Sequence, residues 1–169
     1  NIREMSQLLR PSILDDFGLT ASLRWLAESF AERTGVHASF HSTFTGRLDE
    51  GREAQLFRIA QEALTNASKH AKATEVRIVL QTGEGRDKNN LILTISDNGQ
   101  GIQPRPSISL GAPTPRNGGL GLVGMRARAR AAGGNLTVDS VEGTGVIIAV
   151  TVPLEFVSHV SQNSHFARR

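Results

Sequence analysis

Four polar residues at helical spacing, Glu62, Asn66, Lys69 and His70, are the first place in this 169-residue chain where chemistry could be done. Their spacing of i, i+4, i+7 and i+8 puts them in one narrow stripe of a helix. Leu56, Ile59, Ala60, Ala63, Leu64, Ala67 and Ala71 form that helix's apolar face, and the stripe stands about 100° from its centre. Side chains there look into a cleft beside whatever the helix packs on. An amide oxygen such as that of Asn66 suits magnesium, a hard cation that keeps several waters and takes further ligands from phosphates. Glu62, one turn earlier, can orient a metal-bound water or accept a proton. Lys69 offers a point charge for a phosphate, and His70 a hydrogen-bond donor or a helix cap. Taken alone, the stripe also reads as a solvated helix flank.

Three glycine-bearing turns add to it. Asp97-Asn98-Gly99-Gln100-Gly101 follows an apolar strand. An acid at a strand end can accept from the exocyclic amine of adenine, and Gly99 and Gly101 allow the backbone close to a flat ring. A plain Asx turn is the other reading. Gly118-Gly119-Leu120-Gly121-Leu122-Val123-Gly124 stands at the start of a helix, where free backbone N–H groups and the helix dipole favour a phosphate. The run has no Lys-Ser/Thr ending, so it is not a Walker loop, and no strand leads into it as a dinucleotide fold requires. Gly143-Thr144-Gly145 joins two strands; Thr144 could reach Asp97 or a base through water, or serve only a hairpin turn.

The elements that must position these residues follow from periodicity. Asn1 to Arg10 reads as the end of a helix that Pro11 stops. A second helix is expected from about Leu19 to Arg33, with Gly35 as its C-cap, and a strand over Val36 to Ser42. The striped helix runs from about Gly51 to Ala71. Strands are predicted over Glu75 to Thr82 and Leu91 to Ser96. A helix follows from about Leu122 to Ala132, then strands over Asn135 to Ser140 and Val146 to Val152. Between them, Asp97 to Gly121 carries six of the 17 glycines and four of the six prolines with no apolar period. A loop that long in a compact domain reads as a functional lid, expected to be mobile without its ligand. The tail from Glu155 is expected to be disordered.

Composition removes several classes of function. There is no cysteine, which fits a reducing compartment and excludes disulfides, thiol catalysis and Cys-ligated zinc. The net charge of +3 is mild, the arginines are scattered, and one Trp with no Tyr leaves no aromatic surface for nucleic acid. The longest apolar run of the folded region, Val146 to Val150, is far short of the roughly 20 residues a bilayer span needs. A start without Met and without a signal pattern reads as a cut inside a longer chain.

Taken in order, the motifs resemble the ATPase domain of two-component sensor histidine kinases, within the superfamily of gyrase, Hsp90, histidine kinases and MutL. Phe57 to Ala71 (Phe-Arg-Ile-Ala-Gln-Glu-Ala-Leu-Thr-Asn-Ala-Ser-Lys-His-Ala) resembles that family's N box. Asp97 to Gly101 resembles its first glycine box and Gly119 to Arg126 its second. Leu9-Arg10-Pro11, Leu14-Asp15-Asp16 and Gly18-Leu19 are similar to the junction between dimerisation and ATPase domains in the nitrate-sensor-like subfamily. The resemblance covers roughly Leu8 to Leu154.

It implies an α/β fold of the Bergerat type, a two-layer sandwich whose mixed, mostly antiparallel sheet is covered by about three helices. It implies residues 1–17 as the end of a dimerisation helix and linker, 18–154 as the ATPase domain, and 155–169 as a tail. By the same resemblance Asn66 holds magnesium, Asp97 the adenine amine, and Gly99 and Gly101 shape the base pocket. Gly119 and Gly121 close over the phosphates with the lid. Lys69, His70, Ile102, Leu120, Leu122 and Thr144 complete the expected ATP-binding set, and Glu62 with Asn66 is the catalytic pair. The implied cofactors are ATP and Mg2+. The implied partners are the chain's own upstream dimerisation and phosphoacceptor domain and a response regulator carrying a LuxR-type DNA-binding domain. A homodimer is expected for the full protein and a monomer for this piece, with no direct contact to nucleic acid and a cytoplasmic setting.

Two departures qualify the resemblance. The separate Phe-containing box of many histidine kinases is absent from the lid. None of His37, His41, His70, His159 or His165 has the Glu-Leu-His-Asp type of setting of a phosphoacceptor. The acceptor is therefore expected upstream of Asn1, in a histidine kinase whose γ-phosphate passes to that histidine and then to a regulator aspartate. The alternative is a stand-alone ATP-binding regulator or ATPase of the same superfamily, such as an anti-sigma-factor kinase.

Overall fold

A computed structural model describes residues 10–102 and 119–155. The expected helix over Asn1 to Arg10, most of the lid and the tail beyond Glu155 lie outside the described residues. The elements in chain order are α1 (Arg10–Thr34), β1 (His37–Ser42), α2 (Glu50–Asn66), β2 (Glu75–Thr82), β3 (Asn90–Asp97), α3 (Gly119–Ala131), β4 (Asn135–Val141) and β5 (Gly145–Pro153). A π-helical turn, Ala67–Ala71, extends α2, and a 3-10 turn, Gly85–Asp87, links β2 to β3.

The strands form one sheet in the order β1-β2-β3-β5-β4. β1 and β2 are parallel, and the other neighbours are antiparallel. Register aligns one apolar row through Phe40, Ile78, Ile95, Ile148 and Val138, and the next through Leu80, Leu93, Val150 and Leu136. Because side chains alternate along a strand, these rows share one face. They pack on Leu19, Leu23, Phe30, Leu56, Phe57, Ile59, Leu64, Met125 and Ala129 of the three helices. The expected two-layer α/β sandwich with a mixed, mostly antiparallel sheet is the fold observed.

Pro11 lies in the first turn of α1, where a missing N–H costs nothing because that N–H has no intrahelical partner; the helix expected to end before it lies outside the described residues. α1 consists of two helical segments that meet at Gly18, with φ +78° and ψ −177°; the second begins at Leu19 as periodicity predicted, whereas the helical stretch from Arg10 to Phe17 falls where a linker was expected. A Cβ on Gly18 would stand 2.7 Å from Arg47 Nε, so the bare glycine lets the guanidinium pack beneath the kink. Gly35 ends α1 with φ +71° and donates its N–H to Ala31 O at 2.9 Å.

α2 begins where its capping residues dictate. Asp49 Oδ1 accepts from Arg52 N–H at 3.1 Å, and Glu50 and Glu53 stand in the first turn, the favourable end of the dipole for acids. Glu53 is wholly buried and accepts from Arg47 Nε at 2.9 Å, Arg47 Nη2 at 3.0 Å and Leu48 N–H at 3.1 Å. That carboxylate raises the Arg47 pKa further. Arg52, also buried, donates from Nε to Ala132 O at 3.0 Å and from Nη2 to Pro153 O. Burial lowers its pKa, partly offset by Asp49.

Candidate functional site

Along α2, Glu62 and Asn66 are half-buried, whereas Lys69 and His70 are exposed. The four do not share the straight stripe that an ideal helix would give. From Ala67 to Ala71 the turn is π-helical, and its extra residue per turn shifts every later side chain relative to the α-helical wheel. The turn ends at Lys72, a left-handed residue with φ +49°.

α3 meets α2 at this stripe. The first turn of α3 contains Gly119, Leu120, Gly121 and Leu122, so the second glycine run stands at the start of a helix as expected, and the helix begins about three residues before the expected Leu122. The N–H groups of that turn have no intrahelical acceptor. A Cβ on Gly121 would stand 2.7 Å from Glu62 Oε1 and 3.5 Å from Asn66 Nδ2. Glycine is what lets the two helices close to this distance. Leu122 is half-buried, and Leu120 is 70% exposed. Further along the same seam Arg128 Nη1 donates to Gln55 Oε1 at 3.4 Å. Burial and then the neighbouring Arg128 charge lower the Arg58 pKa.

The third component is the loop after β3. Asp97 is half-buried, and its Oδ1 accepts from Gly99 N–H at 2.9 Å. Gly101, at φ +76°, runs so close to β4 that a Cβ would stand 2.6 Å from Val141 O. Ile102 N–H donates to Ser140 Oγ at 2.7 Å, leaving the Ile102 side chain 49% exposed. Gly145 backs onto Asp97: a Cβ there would stand 1.8 Å from Asp97 O. Thr144 turns the other way, and its hydroxyl donates to Val141 O at 3.0 Å within the hairpin turn.

Sequence reasoning picked out Glu62, Asn66 and Gly121, which the structure brings together, and Asp97 with Gly99, which it joins in one turn. Asn98, Gln100, Ser140 and Gly145 were missed. Asn98 Oδ1 accepts from the N–H groups of Thr74 and Glu75 at 3.0 and 2.9 Å, and its Nδ2 donates to Thr74 Oγ1 at 2.9 Å. Gln100 Nε2 donates to His70 O at 2.7 Å. The available signal was amide side chains at the spacer positions of a glycine motif, next to bends where a side-chain amide can replace a backbone partner.

Comparison with known proteins agrees with this architecture. Residues 51–156 match the family described as histidine kinase-, DNA gyrase B-, and HSP90-like ATPase. The oxygen sensor histidine kinase NreB of Staphylococcus carnosus (strain TM300) is 37% identical over 155 residues, covering 91% of this chain and 42% of that protein. The chain thus spans less than half the length of that relative. Among solved structures, the histidine kinase domain of the blue-light activated histidine kinase of Erythrobacter litoralis EL346 is similar with a TM-score of 0.60 and 24% identity, over 80% of this chain and 61% of that one. The ATP binding domain of PrrB from Mycobacterium tuberculosis gives a TM-score of 0.57 and 21% identity, over 80% and 93% of the two chains. At those identities the structures speak for the fold, and the family match covers most of the sequence. This chain belongs to the histidine kinase-, DNA gyrase B- and HSP90-like ATPase family.

Proposed function

We propose that this chain is the ATP-binding catalytic domain of a sensor histidine kinase. Its parent would donate the γ-phosphate of Mg-ATP to a histidine on an upstream helical domain, and that phosphate would pass to an aspartate of a response regulator. The observation that carries the reading is the close contact of Glu62 and Asn66 with Gly121 in the first turn of α3. It brings the Asn66 amide, the Glu62 carboxylate and the N–H groups of a helix's first turn into one small region. Those are the groups that phosphoryl transfer needs for positioning and charge neutralisation, since the protein supplies little covalent chemistry to that reaction.

In this reading Asp97 accepts from the adenine amine, and Gly99, Gly101 and Ile102 border the base. Gly119, Leu120, Gly121 and Leu122 face the phosphates, Lys69 and His70 lie on the phosphate-side turn, and Thr144 closes the hairpin beside the base loop. The donor set fits magnesium. Among the described residues no group of three or more His, Cys, Asp or Glu could hold a metal by itself. The cation would be held between Asn66 and phosphate oxygens, with Glu62 within reach through water. Bound there, magnesium would neutralise phosphate charge.

Residues 1–17 would be the exit of the dimerisation domain, 18–154 the ATPase domain and 155–169 a tail. The break at Gly18 supports the first boundary, although Leu14 already joins the core. The parent would be a homodimer signalling to a regulator with a LuxR-type DNA-binding domain, and this piece alone a monomer in a cytoplasmic setting. No helix among the described residues is long and apolar enough to cross a membrane.

The test is to restore the upstream helices, supply γ-labelled ATP with magnesium, and look for an acid-labile, alkali-stable phosphoprotein. Label of that kind is expected. ATP hydrolysis with no such label would point instead to a stand-alone ATPase or regulator.

A further inference from the structure

The π-turn Ala67–Ala71 carries Lys69 and His70; Ala67 packs into the core, whereas Ser68, Lys69 and His70 are exposed. Behind it lies an open cleft of about 380 Å3 bordered by Arg33, Thr34 and Val36 on one side and by Ala67 and Ser68 of the turn, with Lys72 just after it, on the other. Lys69 and His70 are exposed, and neither forms an ion pair among the described residues. A π-turn competes with the ordinary α-helical continuation. Relaxation by one residue would swing the side chains beyond Ala67 by roughly 100° about the helix axis.

The loop after β3 reaches the turn through one side chain. Gln100 Nε2 donates to His70 O at 2.7 Å across 30 residues of sequence, and only the NH2 end of the amide can face a carbonyl. The Gln100 backbone is anchored separately, its carbonyl accepting from Gly143 N–H at 2.9 Å. Two residues earlier, Asn98 fastens the strand entry at Thr74 and Glu75. The same short loop begins at Asp97, whose carboxylate caps it through Gly99.

We propose that Gln100 is a positioning residue that couples the base side of the pocket to its phosphate side, by latching the π-turn that presents Lys69 and His70. The inference rests on the nucleotide reading above, and it assigns to a spacer residue the task of holding the phosphate-side groups in register with the adenine loop. One hydrogen bond of this kind corresponds to roughly a three- to tenfold change in an equilibrium constant.

The experiment compares the wild-type chain with Gln100→Leu, which cannot donate, and Gln100→Lys, whose ammonium can still donate to the His70 carbonyl. Binding of Mg-ATP and of adenosine is measured by titration, and amide hydrogen exchange over residues 67–72 is measured without nucleotide. Gln100→Leu should weaken Mg-ATP by roughly three- to tenfold while adenosine stays within about twofold of wild type. Exchange in the π-turn should rise in that variant, and Gln100→Lys should restore both readouts. Equal loss of ATP and adenosine, or no change in either, overturns the latch. If Gln100→Leu fails to fold, Gln100→Lys decides, because a selective loss of ATP there also overturns it. Should the wild-type chain bind neither ATP nor adenosine, the nucleotide reading falls, and exchange in nucleotide-free Gln100→Leu alone decides whether Gln100 holds the turn.

Discussion

Asp97 commits one carboxylate oxygen to its own turn and keeps further acceptor capacity, since an ionised carboxylate has about four lone-pair sites. The Asx turn and the adenine contact are therefore compatible readings of one residue. Asp97→Asn keeps an oxygen for Gly99 N–H but sets an NH2 donor against the adenine amine. It should weaken ATP binding by about 1–3 kcal/mol, measured by titration calorimetry, and unchanged affinity would remove Asp97 from the pocket. Residues whose type and spacing announce chemistry, such as Glu62, Asn66 and Asp97, were legible in the sequence. Gln100, Asn98 and Gly145 were not, because their roles come from contacts across 23 to 48 residues that no local pattern records. In the weakest motif, Gly143-Thr144-Gly145, the polar residue drew notice, yet it is Gly145, at φ +106°, that touches Asp97.

At the scale of the element, the α2–α3 seam separates two glycines of one helix. Gly121 abuts Glu62, whereas a Cβ on Gly124 would meet nothing within 4 Å. Gly124→Ala should therefore stabilise the fold by about 1 kcal/mol through helix propensity alone, with ATP affinity unchanged. In Gly121→Ala the new methyl meets the end of a flexible side chain, so stability should stay within about 1 kcal/mol. The displaced carboxylate should nonetheless lower Mg-ATP affinity and phosphotransfer. Urea unfolding and titration on both variants test the pair, and equal behaviour would deny Gly121 its special place. The strands and the helices from Leu19 onward were legible to within a few residues because apolar period carries them, whereas the helical stretch from Arg10 to Phe17 was not. The early start of α3 was missed because glycines lower helix propensity, and here packing against α2 outweighs that penalty. The π-turn was missed because a wheel drawn at a constant angle cannot show an inserted residue.

For the whole molecule, Arg52 is the tie that local patterns hid. Its guanidinium bonds the carbonyls of Ala132 and Pro153, joining the start of α2 to the end of α3 and the exit of β5. Arg52→Met would leave the buried Ala132 carbonyl and the half-buried Pro153 carbonyl without those donors and should cost about 3 kcal/mol, read as a lower urea midpoint at unchanged slope. A wild-type midpoint would show that water replaces the guanidinium there. The fold class was legible through motif order, but the strand order was not. The β2–β3 and β4–β5 pairs join neighbours in sequence, whereas β1–β2 and β3–β5 bridge segments separated by entire helices, and periodicity says nothing about which strands meet.

That strand order also governs when the molecule can come into being. The last strand, β5, is inserted between β3 and β4, so a growing chain that has made everything through Val141 has the facing edges of β3 and β4 unpaired in addition to the two outer edges, of β1 and β4, that the finished sheet keeps. The β3 and β4 edges left open in this way invite pairing with other chains, and non-local strand pairing is slow to form. Gly145, the first residue of β5, is also the backing of Asp97. A nascent or truncated chain ending before β5 would thus lack both the complete sheet and the backing of the proposed base pocket, and on that reading nucleotide could reward only the completed fold.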